Sequence, residues 1–188
     1  MMPEGYVGAK FRTVFAGRES PCDARLGELV SWCRRFAGLG IVGKAMGNVS
    51  FRTANGFVIS PTATDPVGIT GEQFVEVLKI DIARRELTVR GAGEPSSESM
   101  MHAAVYAARP EINAVFHAHS DGLLAAAERL GLAVTEREQP YGTPELAAEI
   151  VKILNRHYFF IIRNHGFVAL GKTIGEAGWR MEKMLARL

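Results

Sequence analysis

Two histidines one residue apart, His117 and His119, close an apolar run of Ile112, Ala114, Val115 and Phe116 that follows Pro110. Read as a buried strand, the run sends residues i and i+2 to one face, so the two imidazoles project side by side. A third histidine, His165, sits in Arg163-Asn164-His165-Gly166 at the end of another apolar run, Tyr158 to Ile162. A lone histidine at a strand end is ordinarily a hydrogen-bonded core or surface residue. Three imidazoles with a carboxylate or a water describe an open catalytic zinc site better than a closed structural one. The carboxylate candidate is Glu98 in Gly93-Glu94-Pro95-Ser96-Ser97-Glu98, where Pro95 and the serines mark a helix start. Free amides at such an end favour an anion, and the helix dipole favours an ionised Glu98 in the first turn. The His117 strand runs back directly after that helix, so the acid is expected near the imidazoles, although sequence alone does not show that it faces them.

Two further segments carry polar chemistry. Gly47-Asn48-Val49-Ser50 and Ser60-Pro61-Thr62-Ala63-Thr64 are hydroxyl- and amide-bearing turns beside strands. Such turns suit a phosphate or a sugar hydroxyl, although the same residues are also ordinary turn formers. His102 lies one helical turn past Glu98, within reach of orienting it, but reads first as a surface residue. His157 reads as structural.

The elements that must position these residues follow from local pattern. Ser20-Pro21 predicts a helix start, with serine as cap, and Leu26, Leu29, Val30, Cys33 and Phe36 form its apolar stripe until Gly38 to Gly40. Val49 to Arg52 and Gly56 to Ser60 predict a hairpin across Asn55-Gly56. Phe74 to Ile80 and Glu86 to Arg90 predict a second strand pair. Ser96 or Ser97 caps a helix that ends at Arg109-Pro110. Further helices are expected from Asp121 to Leu130, from Thr143 to Arg156 and from Thr173 to Leu188, with strands Tyr158 to Arg163 and Phe167 to Leu170 between the last two. Hairpins mixed with helices, without a regular βαβ repeat, predict a central, mainly antiparallel sheet with helices on its faces. Residues 1–20 lack a period and read as an N-terminal arm, and residues 21–188 read as a single domain.

Composition narrows the function classes. The 188 residues are 47% apolar and 22% charged, with a net charge of +2. That is ordinary for a soluble globular protein and calls for neither nucleic acid nor a membrane as partner. The sequence has no apolar stretch near bilayer length and no signal-peptide pattern at its start, so a cytoplasmic location is expected. Cys22 and Cys33 read as free thiols on one N-terminal helix, too far apart to bridge.

In order, Gly-Asn-Val-Ser, Ser-Pro-Thr, Pro-Ser-Ser-Glu, His-Ala-His and Asn-His-Gly resemble the motif set of the class II aldolase/adducin family, in kind the zinc-dependent L-fuculose-1-phosphate aldolases. The resemblance runs from about residue 22 to the C-terminus. It implies a three-layer α/β/α domain and one zinc per subunit held by His117, His119 and His165. Glu98 is implied as the acid/base, ligating the metal when no substrate is bound. Phosphate contacts are implied for Gly47, Asn48, Thr62, Ser96 and Ser97, and a homotetramer with sites between subunits is implied. Other divalent metals would also suit three imidazoles.

The implied reaction is cleavage or formation of a carbon–carbon bond in a keto-sugar phosphate through a metal-stabilised ene-diolate. A dehydratase of the methylthioribulose-phosphate type and a non-catalytic adducin-like assembly module are the alternatives. The chain departs from the family at Lys44-Ala45-Met46 and Ala63, where the pattern has a hydroxyl and glycines. It also has no counterpart to the family's tyrosine proton donors, which leaves Tyr6 and Tyr141 as substitutes.

Overall fold

The computed structural model describes residues 9–38, 47–63, 65–155 and 157–188. Its strands are β1 (Arg12–Gly17), β2 (Asn48–Arg52), β3 (Phe57–Ile59), β4 (Val75–Asp81), β5 (Glu86–Arg90), β6 (Ala114–Ala118), β7 (Phe159–Ile162) and β8 (Gly166–Gly171). Its helices are α1 (Leu26–Gly38), α2 (Ser99–Ala108), α3 (Asp121–Ala126), α4 (Pro144–Ile153) and α5 (Ile174–Leu185). The strands form one eight-stranded sheet in the order β1-β5-β4-β3-β2-β6-β8-β7. Pairing is antiparallel throughout except between β1 and β5.

Period-two alternation divides the core into two layers. Ala114, Phe116 and Ala118 of β6, Phe159 and Ile161 of β7, and Phe167 and Ala169 of β8 pack with α1, α3 and α5. Val115, Phe160, Ile162, Val168 and Leu170, the residues between them, pack with α2 and α4. Helices therefore cover both faces, as the expected α/β/α arrangement requires. Each fully buried aromatic or branched side chain contributes roughly 1.5–3 kcal/mol of transfer free energy, so a one-residue slip that exchanged the faces would be costly.

The Asn55-Gly56 turn joins β2 to β3 as its sequence predicts. Gly56 has φ +156°, and a Cβ there would lie 2.0 Å from the Val77 carbonyl oxygen, so only glycine fits.

Several boundaries differ from the sequence reading. The α1 helix begins at Leu26, not near Ser20. The Ser20 hydroxyl donates to the Glu72 carbonyl and so does not cap the helix as expected, and the Asp23 carboxylate accepts the Arg25 N–H at 2.9 Å just before the helix starts. Cys22 consequently lies outside the helix and is exposed, while Cys33 is buried. Within the segment read as an arm, Arg12–Gly17 forms an edge strand, for which Thr13, Val14 and Phe15 supply the β-formers. Its register rests on β5, where Arg12 pairs with Glu86 and Phe15 with Val89, a distant pairing that no local pattern displays. Tyr6, Lys44, Ala45, Met46 and Thr64 lie outside the described residues.

Candidate active site

The site sits at one end of β2, β6 and β8, on the face covered by α2 and α4. Asn48 and His117 are direct cross-strand neighbours, so their side chains share that face. His119 follows immediately after β6. His165 is placed by the β7–β8 turn, closed by the His165 N–H donating to the Ile162 carbonyl at 3.1 Å. Asn164 occupies the left-handed position of that turn with φ +57°, which asparagine tolerates, and its amide donates to Glu138 at 2.6 Å. Gly166 comes next, close against both His117 and His119.

The three rings converge. Their centroids are 4.9, 5.0 and 5.0 Å apart, a nearly equilateral triangle. His117 Nδ1 is 2.9 Å from the Phe167 carbonyl oxygen, which accepts only a proton-bearing nitrogen. That contact fixes the tautomer and leaves the Nε2 lone pair facing His119 Nε2 at 3.0 Å. Glu98 closes the cluster from the start of α2, with Oε2 at 3.1 Å from His117 Nε2 and Oε1 at 3.2 Å from His165 Nε2. It stands at the cap position, one residue before the first turn where the sequence reading placed it.

These residues fit a metal ion. The four ligand atoms, one from each residue, lie within 4.8 Å of one another. Ligands at zinc distances of about 2.0–2.1 Å in a tetrahedron stand roughly 3.3 Å apart, close to the 3.0–3.2 Å contacts seen here. Glu98 Oε1 is buried without a hydrogen-bond partner, and such an oxygen is costly unless a cation or donor meets it. Burial alone would raise the Glu98 pKa. His117, and then His165, beside it outweigh that effect and hold the carboxyl well below the usual range. Burial pushes His119 down to about 3, so its ring stays neutral and its lone pair available.

The sequence of this chain matches the class II aldolase and adducin N-terminal domain over residues 27–186. The chain belongs to the class II aldolase and adducin family. It is 31% identical over 168 residues to a 5-methylthioribulose-1-phosphate/5-deoxyribulose-1-phosphate aldolase of Escherichia coli O45:K1, covering 81% of this chain and 76% of that one. An L-fuculose phosphate aldolase of Methanococcus maripaludis is 32% identical, with coverage of 81% and 87%. A methylthioribulose-1-phosphate dehydratase of Methylococcus capsulatus is 27% identical, with coverage of 82% and 86%. In fold, the chain superposes on an L-fuculose 1-phosphate aldolase with TM-score 0.75 at 23% identity, covering 89% of this chain and 84% of that one.

The residues expected to contact phosphate are placed as follows. Gly47 has φ +79°, and a Cβ there would lie 2.2 Å from the His117 carbonyl oxygen, so the Gly47 backbone is pressed against β6. The Thr62 N–H donates to the Glu94 carbonyl and the Ser96 N–H to the Ser60 carbonyl, which binds the Ser60–Thr62 turn to the segment Glu94–Ser96. The Ser96 hydroxyl accepts the Glu98 N–H at 3.2 Å and so helps place the acid. Ala63 adopts φ +53°, a conformation that glycine takes more readily. Tyr141 is buried beside Gly142, whose backbone approaches the Ser97 carbonyl.

His102 corrects the sequence reading most. It is wholly buried, not a surface residue, and burial pushes it down to about 3. Its Nδ1 contacts the Ser50 hydroxyl at 2.6 Å and its Nε2 contacts Asn48 Oδ1. Asn48 in turn donates from Nδ2 to Glu98 Oε2 at 2.7 Å. Both polar atoms of the Asn48 side chain are thus engaged within the protein. The four-residue spacing of Glu98, His102 and Tyr106 was the sequence signal for this row, but it points nowhere until β2 is known to lie beneath it. Two surface cavities, of about 390 and 370 Å³, lie elsewhere on the chain: one by Arg25, Asn113 and Lys172, the other by Trp179 and Tyr158.

Proposed function

We propose that this chain is a zinc-dependent aldolase that makes or breaks a carbon–carbon bond in a small keto-sugar phosphate of the L-fuculose-1-phosphate kind, with dihydroxyacetone phosphate and an aldehyde as the fragments. The observation that carries the reading is the buried Glu98 carboxylate facing three imidazole nitrogens, with one oxygen unpartnered. His117, His119, His165 and Glu98 would hold the metal, one ion per subunit. Zinc bound there would supply Lewis-acid polarisation of a carbonyl and its neighbouring hydroxyl.

Glu98 is the group that moves the proton. Its depressed pKa keeps it ionised at neutral pH, ready to take a proton from the carbon beside the carbonyl in the bond-forming direction. In cleavage it returns that proton to the same carbon. In bond formation the aldehyde oxygen takes up a proton as it becomes a hydroxyl, and in cleavage that hydroxyl gives the proton up; Tyr141 and Tyr6 are the candidates for the group that carries it. Backbone and hydroxyl groups at Gly47, Asn48, Thr62, Ser96 and Ser97 would hold the phosphate; for Asn48 that leaves its backbone, since its amide is engaged. The cluster opens at the surface through the partly exposed His119 and His165, as a homotetramer with sites between subunits would require. Among the described residues no helix is long and apolar enough to cross a membrane, and cytoplasmic location belongs to this proposal.

A zinc-dependent dehydratase is the second reading, supported by the relative named methylthioribulose-1-phosphate dehydratase and by the same acid and ligand set. One experiment tests both. Metal content is measured in the purified protein and in His117→Ala, and then products are identified for wild type and Glu98→Gln on keto-sugar phosphates. About one zinc per chain, lost in His117→Ala, is expected, with two product fragments and a rate lowered roughly 10²–10⁴-fold in Glu98→Gln. A single product lighter by one water would select the dehydratase. No metal even after zinc is supplied would overturn both enzyme readings and leave an adducin-like assembly module.

A further inference from the structure

We propose that His102 is a positioning residue for Glu98, acting through Asn48 along a one-way chain of hydrogen bonds that starts at Tyr106. The inference rests on the reading of Glu98 as the acid/base. It begins with a match of spacings. Glu98, His102 and Tyr106 recur every four residues from the cap of α2 along the helix, about 6 Å apart, and Asn48 and Ser50 recur every two on β2, about 6.6 Å apart. The two rows therefore stay in step over the whole length of the contact. Glu98 meets Asn48, His102 meets Asn48 and Ser50, and Tyr106 meets Ser50. All five side chains are buried.

The direction of every bond in this row is determined by its two ends. Glu98 Oε2 is a carboxylate oxygen and only accepts, so Asn48 must turn Nδ2 toward it, at 2.7 Å. Asn48 Oδ1 then faces His102 Nε2, and since a carbonyl oxygen only accepts, that nitrogen must carry the proton. A neutral ring protonated at Nε2 leaves Nδ1 as an acceptor, so the Ser50 hydroxyl gives its single proton there, at 2.6 Å. Ser50 Oγ is left to accept from the Tyr106 hydroxyl at 2.7 Å. Each member has one role, and reversing any bond strands a buried donor or acceptor.

The consequence for the site is orientational. An asparagine amide can flip about its last torsion and would offer Oδ1 to the carboxylate in the wrong state. His102 Nε2–H blocks that flip by demanding the oxygen for itself. Glu98 Oε2 is thereby anchored by a neutral donor from β2 while it faces His117, and Oε1 stays turned to His165.

The test uses the full-length protein and the pair His102→Gln and His102→Asn. Glutamine places its amide N–H near the depth of Nε2 and retains the donor toward Asn48, while asparagine ends at the depth of Nδ1 and loses it. Two readouts need no turnover: the His102 tautomer from long-range ¹⁵N–¹H correlation, and zinc affinity by chelator competition. The expected result is a neutral ring protonated at Nε2, a 10–100-fold loss of zinc affinity in His102→Asn, and an affinity within about threefold of wild type in His102→Gln. With substrate, kcat should fall in His102→Asn at unchanged KM and recover in His102→Gln. A ring protonated at Nδ1, unchanged affinity in His102→Asn, or equal losses in the two variants would overturn the proposal. If the expected tautomer and affinities appear without turnover of any keto-sugar phosphate, the functional reading fails and the chain stands. If the protein takes up no zinc at all, the functional reading fails first and the tautomer alone decides the chain.

Discussion

Replacing Gly166 with alanine is expected to disable the metal site without touching a ligand or a charge. A Cβ at Gly166 would lie 2.5 Å from the Ala118 carbonyl oxygen, 2.7 Å from His119 Cδ2 and 2.9 Å from His117 Cε1. Those gaps are roughly 0.6–1 Å short of an ordinary contact of about 3.5 Å. The Ala118 carbonyl belongs to the edge of the β6–β8 ladder and yields little, so the two rings must give way. Metal ligands tolerate displacements of only about 0.2 Å, so shifts of this size should lower zinc affinity by at least 10–100-fold. The fold should lose about 1–3 kcal/mol, the usual cost of an added methyl in a packed site. Chelator competition gives the affinity, and urea unfolding of the metal-free protein gives the stability. Gly27→Ala is the control: nothing lies within 4 Å of its Cβ, so this helical position should gain roughly 0.5–1 kcal/mol and leave zinc binding unchanged. Wild-type zinc affinity in Gly166→Ala would refute the claim that close packing of His117, His119 and Gly166 sets the site.

The metal-free protein should lose stability in acid over a window set by two buried histidines. His102 and His119 are each pushed by burial from 6.5 to about 3, so the folded state holds them neutral while the unfolded chain takes up their protons. Their contribution is complete above pH 6.5 and falls as pH drops toward 3, at about 1.4 kcal/mol per pH unit for each group. Glu98, depressed from 4.5, adds a further loss below that pH, and urea midpoints between pH 3 and 8 check the whole curve. A flat profile from pH 7 to 5 would contradict the neutral buried rings. Ala63→Gly should stabilise the protein by about 1 kcal/mol, because alanine pays for its left-handed backbone at φ +53° and its exposed methyl packs against little. Denaturant unfolding measures this, and a loss of stability would show that Ala63 is not strained.

The chemistry-bearing residues were legible because the patterns that carry them are short. Two histidines at i and i+2 on a strand must share a face, and proline followed by serines before an acid marks a helix start. The Asn55-Gly56 turn, the amphipathic stripe of α1 from Leu26 and the alternating strands were legible for the same reason, since local backbone geometry dictates them. Boundaries were less so: α1 starts several residues late because Asp23 and Ser20 make other bonds.

What the sequence alone determined, then, is the α/β class and the family, together with the candidate ligands and candidate acid that the proposed function uses. The tertiary structure decided what depends on elements distant in the chain. β1 became an edge strand only because β5 offers a parallel partner, and His165 joined His117 only because β8 pairs with β6. His102 read as a surface residue because its helix pattern is two-sided. The structure buries it because α2 lies along β2 in matching steps, and a buried imidazole must find partners at both nitrogens. Periodicity tells which residues share a face, but only packing tells what that face meets.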